Sequence, residues 1–84
     1  MITVKYFAQL RQMAGREEEQ FDLGPQVTID QLSDAIGKTL PRIGELVRDK
    51  KVMISVNYDV VPADHVIQDG DEVALLPPFS GGLL

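Results

Sequence analysis

The chain holds one histidine and no cysteine, which narrows the chemistry its side chains can perform. Without thiols there is no cysteine nucleophile, thiolate zinc site, iron–sulfur cluster or disulfide. One imidazole cannot make a multi-histidine metal site. His65 stands near Asp64 and Asp69. General-base work needs a nucleophile or substrate within hydrogen-bond reach, and the sequence indicates none, so His65 reads as structural or exposed. Glu17-Glu18-Glu19 could attract a hard cation. Consecutive carboxylates on a strand point to opposite faces, however, so a solvated edge is the better reading. Asp69-Gly70-Asp71-Glu72 lacks the ligand spacing of an EF-hand loop and reads as a turn. Gly81-Gly82 has no helix after it and no lysine beside it, so it is not a phosphate cradle. These groups assemble no active site. The expectation is a chain that is not itself an enzyme and binds no metal or cofactor.

Length and charge agree. Eighty-four residues make one small domain, which buries roughly 60–65% of its unfolded surface and leaves little room for a deep cleft. A net charge of −5 repels phosphate backbones, so no nucleic acid is expected. No apolar run approaches the roughly 18 residues of a membrane span, and no signal-peptide apolar region opens the chain, so a soluble, cytoplasmic protein is expected. From Asp59 onward there are acids (Asp59, Asp64, Asp69, Asp71, Glu72) and no Lys or Arg, and from Val73 onward no charged side chain. Pro77-Pro78 removes two consecutive backbone donors and stiffens the exit of this uncharged tail. Gly81-Gly82, without side chains, can thread a narrow channel and deliver a backbone carbonyl to another protein's active site.

The elements that must position this tail follow from period and punctuation. Ile2–Phe7 alternates as a half-buried strand, with Ile2, Val4 and Tyr6 on one face and Phe7 on the other. Ala8–Ala14 favours a short helix capped by Gly15. Glu17, Glu19, Phe21 and Leu23 share one side of an extended segment stopped by Gly24-Pro25. Thr28 with Gln31 forms a capping-box pattern. The stripe Ile29, Leu32, Ile36, Leu40 then predicts the main helix, ended by Pro41. Ile43, Leu46 and Val47 suggest a shorter helical turn closed by Asp49-Lys50. Val52, Ile54 and Val56 mark a strand, Asn57-Tyr58-Asp59 a turn, Val60-Val61 its partner and Glu72–Leu76 the last strand. The sum is an α+β domain over residues 1–76, its sheet covered on one face by one main helix, with a tail over 77–84. The other sheet face should be open, with Phe7 a candidate to sit on it.

The C-terminal run Val73-Ala74-Leu75-Leu76-Pro77-Pro78-Phe79-Ser80-Gly81-Gly82, preceded by Asp69-Gly70-Asp71-Glu72, resembles the signature of the MoaD/ThiS sulfur carriers. Val4–Arg11, the Thr28 helix start and the Val56-Asn57 strand end are similar to the MoaD branch, the small subunits of molybdopterin synthase. The resemblance implies a β-grasp, ubiquitin-like fold with a mixed sheet. It implies that a MoeB/ThiF-like enzyme uses ATP to adenylate the terminal glycine carboxyl, that sulfur replaces AMP, and that a MoaE-like large subunit receives the thiocarboxylate in a heterotetramer. By match of position Gly82 carries the sulfur, with Gly81, Ser80, Phe79, Pro78 and Pro77 as the threaded tail. Phe7, Arg11, Val60 and Leu76 match the docking surface, ordinary core packing being the alternative for Phe7 and Leu76. The family's working form ends at Gly-Gly, whereas Leu83-Leu84 follow here. Gly82 therefore has an amide where the chemistry needs a carboxylate, and removal of Leu83-Leu84 by a protease is expected. Three other roles stay open: a ThiS-like carrier for thiamine or sulfur-amino-acid synthesis, a ubiquitin-like protein modifier, and a non-covalent binding domain whose Leu83-Leu84 plugs into a partner.

Overall fold

Alternation along the first segment resolves into a strand whose Ile2, Val4 and Tyr6 are fully buried while Thr3 and Lys5 are not. The computed structural model describes residues 1–78. Its elements are β1 (Ile2–Tyr6), α1 (Gln9–Ala14), β2 (Glu18–Phe21), β3 (Gln26–Thr28), α2 (Ile29–Gly37), α3 (Pro41–Arg48), β4 (Met53–Val56), β5 (Asp59–Val60), β6 (Val66–Gln68) and β7 (Glu72–Leu76). Five strands form one sheet in the order β2-β1-β7-β4-β5. β1 and β7 run parallel at its centre, Thr3 opposite Glu72 through Tyr6 opposite Leu75. The other pairings are antiparallel. The sheet is therefore mixed, as expected.

One face of the sheet is covered by helices. Thr28 Oγ1 accepts the Gln31 N–H at 3.1 Å while Gln31 Oε1 accepts the Thr28 N–H at 2.9 Å. The predicted capping box thus satisfies two donors that would otherwise be orphaned at the start of α2. Leu32 and Ile36 project from α2 into the core and are fully buried, each contributing roughly 1.5–3 kcal/mol relative to exposure. The expected end of this helix is wrong. α2 stops at Gly37, Leu40 lies outside it, and Pro41 opens α3 instead, where its missing N–H costs nothing and its fixed φ suits the first helical turn. α3 buries Ile43 and Val47, so the cover is a helix pair. The pair crosses closely: a Cβ on Gly44 would lie 2.7 Å from Gly37 Cα and 2.8 Å from the Ser33 carbonyl oxygen.

Two strands escaped the sequence reading. β3 and β6 pair antiparallel as a separate two-stranded sheet. Each is three residues long with a single buried side chain, Val27 or Ile67, too short for alternation to register. The short helix behaves as predicted, ending at Gly15 with φ 73°, a left-handed conformation that glycine adopts without penalty. In β2, Phe21 and Glu19 turn inward. Glu19 is satisfied there: its carboxylate accepts the Tyr6 hydroxyl at 2.9 Å and Arg16 Nη1 at 3.1 Å. The triple-glutamate edge is thus divided, with Glu18 in solvent and Glu17 near Arg11 at 3.8 Å. Burial, reinforced by the hydrogen bond to Glu19, pushes the Tyr6 phenol above the ordinary tyrosine range.

Two outcomes follow. Gly44→Ala should cost about 1–3 kcal/mol by overpacking the helix crossing. Gly37→Ala, whose new methyl would meet only ordinary contact at 3.8 Å, should be neutral or stabilising by up to about 1 kcal/mol; denaturant unfolding of the two variants checks the contrast. For Tyr6, the native state holds the phenol proton more tightly than the unfolded chain. Its contribution is therefore intact below pH ~10 and lost as pH rises further. Tyr6→Phe should remove that alkaline loss while costing about 0.5–1.5 kcal/mol at neutral pH, read by unfolding curves at about pH 8 and about pH 11.

Candidate functional site

Strand parity decides what the uncovered face carries. Opposite the core, β1 presents Thr3 and Lys5, β7 presents Glu72, Ala74 and Leu76, and β4 presents Met53 and Ser55. Register aligns them in rows: Lys5 pairs with Ala74, Ala74 with Ser55 and Ser55 with Val60. In the next row Met53 faces Leu76, and Phe7 continues the β1 ladder, its N–H donating to the Leu75 carbonyl at 3.2 Å. Small residues, Ala74 and Ser55, occupy the middle row. Larger ones surround them, leaving a hollow of about 360 Å³ rimmed by Phe7, Leu76, Met53, Val60 and Tyr58. The rim is largely exposed, with Phe7 at 43% and Val60 at 67%. Its lining is mostly apolar, with Lys5 and Glu72 as the charged members.

The backbone just past Phe7 is sharply turned. Ala8 has φ 52° and ψ −125°, a conformation that glycine adopts far more readily than alanine, and the Leu10 N–H donates to the Phe7 carbonyl at 3.0 Å. This turn starts α1 and places Arg11 beside Phe7, where the two share a smaller neighbouring hollow. The charges here are loosely held. Lys5 Nζ lies 3.6 Å from Glu72 and Arg11 3.8 Å from Glu17, and such exposed pairs contribute only about 0–1 kcal/mol. Arg11 can therefore exchange its partner for another acid at little cost.

Of the residues singled out from the sequence, Phe7, Val60 and Leu76 meet around one hollow, with Arg11 next to it. Core packing is not the role of Phe7 or Leu76, since both lie on the open face and neither is fully buried. Pro77 and Pro78 follow directly from β7, so the tail leaves at the Phe7–Leu76 side of the hollow. Phe79, Ser80, Gly81 and Gly82 lie outside the described residues. His65 is partly buried and sits in a separate shallow hollow with Asp59 and Asp71. Among the described residues no group of three or more His, Asp or Glu is placed to hold a metal ion, and no helix is long and apolar enough to cross a membrane. A larger hollow of about 520 Å³ follows the helix pair, but charged residues such as Asp34, Lys38, Glu45 and Arg48 line it and the tail root is not among them. Sequence reasoning missed Tyr58, Met53 and the Ala74–Ser55 floor. The available signal for Tyr58 was an aromatic residue in a two-residue hairpin loop, where glycine is usual.

A five-stranded mixed sheet with parallel first and last strands, a helix pair over one face and a tail leaving the last strand is the β-grasp, ubiquitin-like architecture. Within that class the chain belongs to the ThiS family, whose model matches residues 4–82. It is 37% identical over 83 residues to the molybdopterin synthase sulfur carrier subunit of Chlamydomonas reinhardtii, covering 96% of this chain and 98% of that one. It is 34% identical over 82 residues to the subunit of the same name from Escherichia coli, covering 98% and 100%. A solved structure from Pyrococcus furiosus superposes with a TM-score of 0.76 at 34% identity, over 93% of this chain and 97% of the other.

The burial difference between the two sheet faces is directly measurable. Leu75→Ala, in the core, should cost about 2–5 kcal/mol. Phe7→Ser should change folding stability by no more than about 0.5–1 kcal/mol. Paired denaturation midpoints decide whether Phe7 is a surface residue.

Proposed function

We propose that the chain carries sulfur on the carbonyl carbon of Gly82 for molybdopterin synthesis. The observation that carries this reading is the family match running to Gly82, joined to relatives at 34% and 37% identity that are molybdopterin synthase sulfur carrier subunits. The chemistry explains why a chain without a catalytic side-chain constellation suffices. A carboxylate resists nucleophiles because oxide is a poor leaving group. Transfer of AMP from ATP to the Gly82 carboxylate releases pyrophosphate and gives an acyl adenylate. A sulfide-level nucleophile then forms the C–S bond as the C–O bond to AMP breaks, leaving a thiocarboxylate. A MoeB/ThiF-like enzyme holds the ATP, and a MoaE-like large subunit receives the loaded tail in a heterotetramer.

The open face supports this division of labour. Phe7, Val60 and Leu76 offer the apolar contact, and Arg11 offers a cation to an acidic group on the partner. The tail is rooted at the rim of the same hollow, so one docking event seats the face and introduces Pro77, Pro78, Phe79, Ser80, Gly81 and Gly82 into the partner's channel. In this sequence Gly82 is amide-linked to Leu83, so the role requires hydrolysis of that bond, releasing Leu83-Leu84 and freeing the carboxylate.

The test uses two chains, one ending at Gly82 and one carrying Leu83-Leu84, each incubated with ATP, the cognate adenylating enzyme and a sulfur source. Intact mass should show one oxygen exchanged for one sulfur in the trimmed chain and no change in the longer one. A trimmed chain that gains no sulfur, or that appears instead in isopeptide adducts with other proteins, contradicts the reading.

A further inference from the structure

Four non-glycine residues in the described chain have positive φ: Ala8, Lys50, Asn57 and Tyr58. One of them, Tyr58, lines the open-face hollow. Ala8 follows Phe7, while Asn57 and Tyr58 form the β4–β5 loop beside Val60. That hairpin pairs Val56 with Asp59, leaving a two-residue loop with φ of 51° at Asn57 and 73° at Tyr58. Positive φ at both positions is the type I′ pattern, which favours Asn first and Gly second. Tyr58 is the wrong residue for its position, because a side chain crowds the left-handed backbone. Burial within this chain does not repay that strain, since Tyr58 is 84% exposed.

The loop is nevertheless anchored through Asn57. Asn57 Nδ2 donates to Asp71 at 3.0 Å, the Glu72 N–H donates to Asn57 Oδ1 at 3.0 Å, and the Asn57 N–H donates to the Glu72 carbonyl at 2.8 Å. By register, Tyr58 stands at the rim diagonally opposite Phe7, and both line the hollow. Strained backbone concentrates at ligand clamps. A tyrosine on a fixed loop offers a large contact at low entropic cost.

We propose that Tyr58 is an anchor of the surface that receives the large subunit, an apolar side chain of that subunit seating between Tyr58 and Phe7 with basic residues on the Tyr58 side. The proposal rests on the carrier role. Charge argues for this occupant. At the Tyr58 end of the hollow the charges are acidic: Asp59 adjoins Tyr58, Asp71 accepts from Asn57, and Glu72 lines the hollow with Lys5, its ion-pair partner. An apolar knob flanked by Lys or Arg on the Tyr58 side, with an acidic group reaching Arg11 on the Phe7 side, complements this arrangement.

The experiment titrates wild type, Tyr58→Gly, Tyr58→Phe and Phe7→Ser against the molybdopterin synthase large subunit of the source organism by calorimetry, with a denaturation midpoint for each variant. Tyr58→Gly should unfold at the same or a higher denaturant concentration than wild type, yet bind about tenfold or more weakly. Tyr58→Phe should bind within about threefold of wild type, since the ring is kept. Wild-type affinity in Tyr58→Gly, with Phe7→Ser weakened, overturns the anchor and leaves the carrier role standing. Lower stability in Tyr58→Gly overturns the argument from strain. Tyr58-dependent self-association without the large subunit overturns the stated occupant. A wild-type chain trimmed to Gly82 that gains sulfur but binds no large subunit overturns the docking surface alone.

Discussion

The parallel pairing of β1 with β7 is the constraint on which the rest of the molecule depends. It joins residues 3–6 to 72–75, so nearly the whole chain serves as the crossover that a parallel pair requires. Its register is enforced by parity: a one-residue slip would turn the fully buried Val73 and Leu75 to the open face and bring Ala74 and Leu76 into the core. Clamps at the β6–β7 turn reinforce it. The Thr3 N–H donates to the Asp71 carbonyl at 3.1 Å, the Gly70 N–H to the Met1 carbonyl at 3.0 Å, and the Gln68 N–H to the Asp71 carboxylate at 2.8 Å. Because β7 ends beside Phe7, the pairing also fixes where the tail leaves the domain.

A division of labour between the two sheet faces follows. One face is spent on the helix pair, where Leu32, Ile36, Ile43 and Val47 meet Val4, Leu75 and Ile54 in a single core. The other is left apolar around Ala74 and Ser55, with Arg11 toward Phe7 and Glu72 in the lining beside Lys5. Few side chains in such a domain are free to build a catalytic centre, and the proposed chemistry asks for none. In that proposed chemistry the reactive atom is a backbone carbonyl, and the domain would bring it to enzymes that recognise the open face. The absence of cysteine and the single histidine then fit a protein that partners handle as a substrate.

Much of this was legible in the residues, for reasons that differ by element. β1, β7 and the start of α2 carry strong local signals: full alternation in two cases and a reciprocal cap in the third. The Asp69–Glu72 turn was legible because Gly70 takes φ 92°, which its neighbours would resist. Pro41 was misread because proline both ends and begins helices, and the choice rests on Gly44 fitting against Gly37, a tertiary contact. β3 and β6 pair Val27 with Ile67, both buried, a long-range pairing that no three-residue pattern announces. Phe7, Val60 and Leu76 were named by resemblance, and only the register showed that they share a hollow with Tyr58.

The central claim concerns the bond after Gly82, and the most direct measurement is the intact mass of this protein isolated from cells of its source organism while they make molybdopterin. The carrier role requires a population ending at Gly82, part of it with one carboxylate oxygen replaced by sulfur. A chain that always retains Leu83-Leu84 and never carries sulfur, in cells whose molybdopterin synthesis depends on it, would contradict that role.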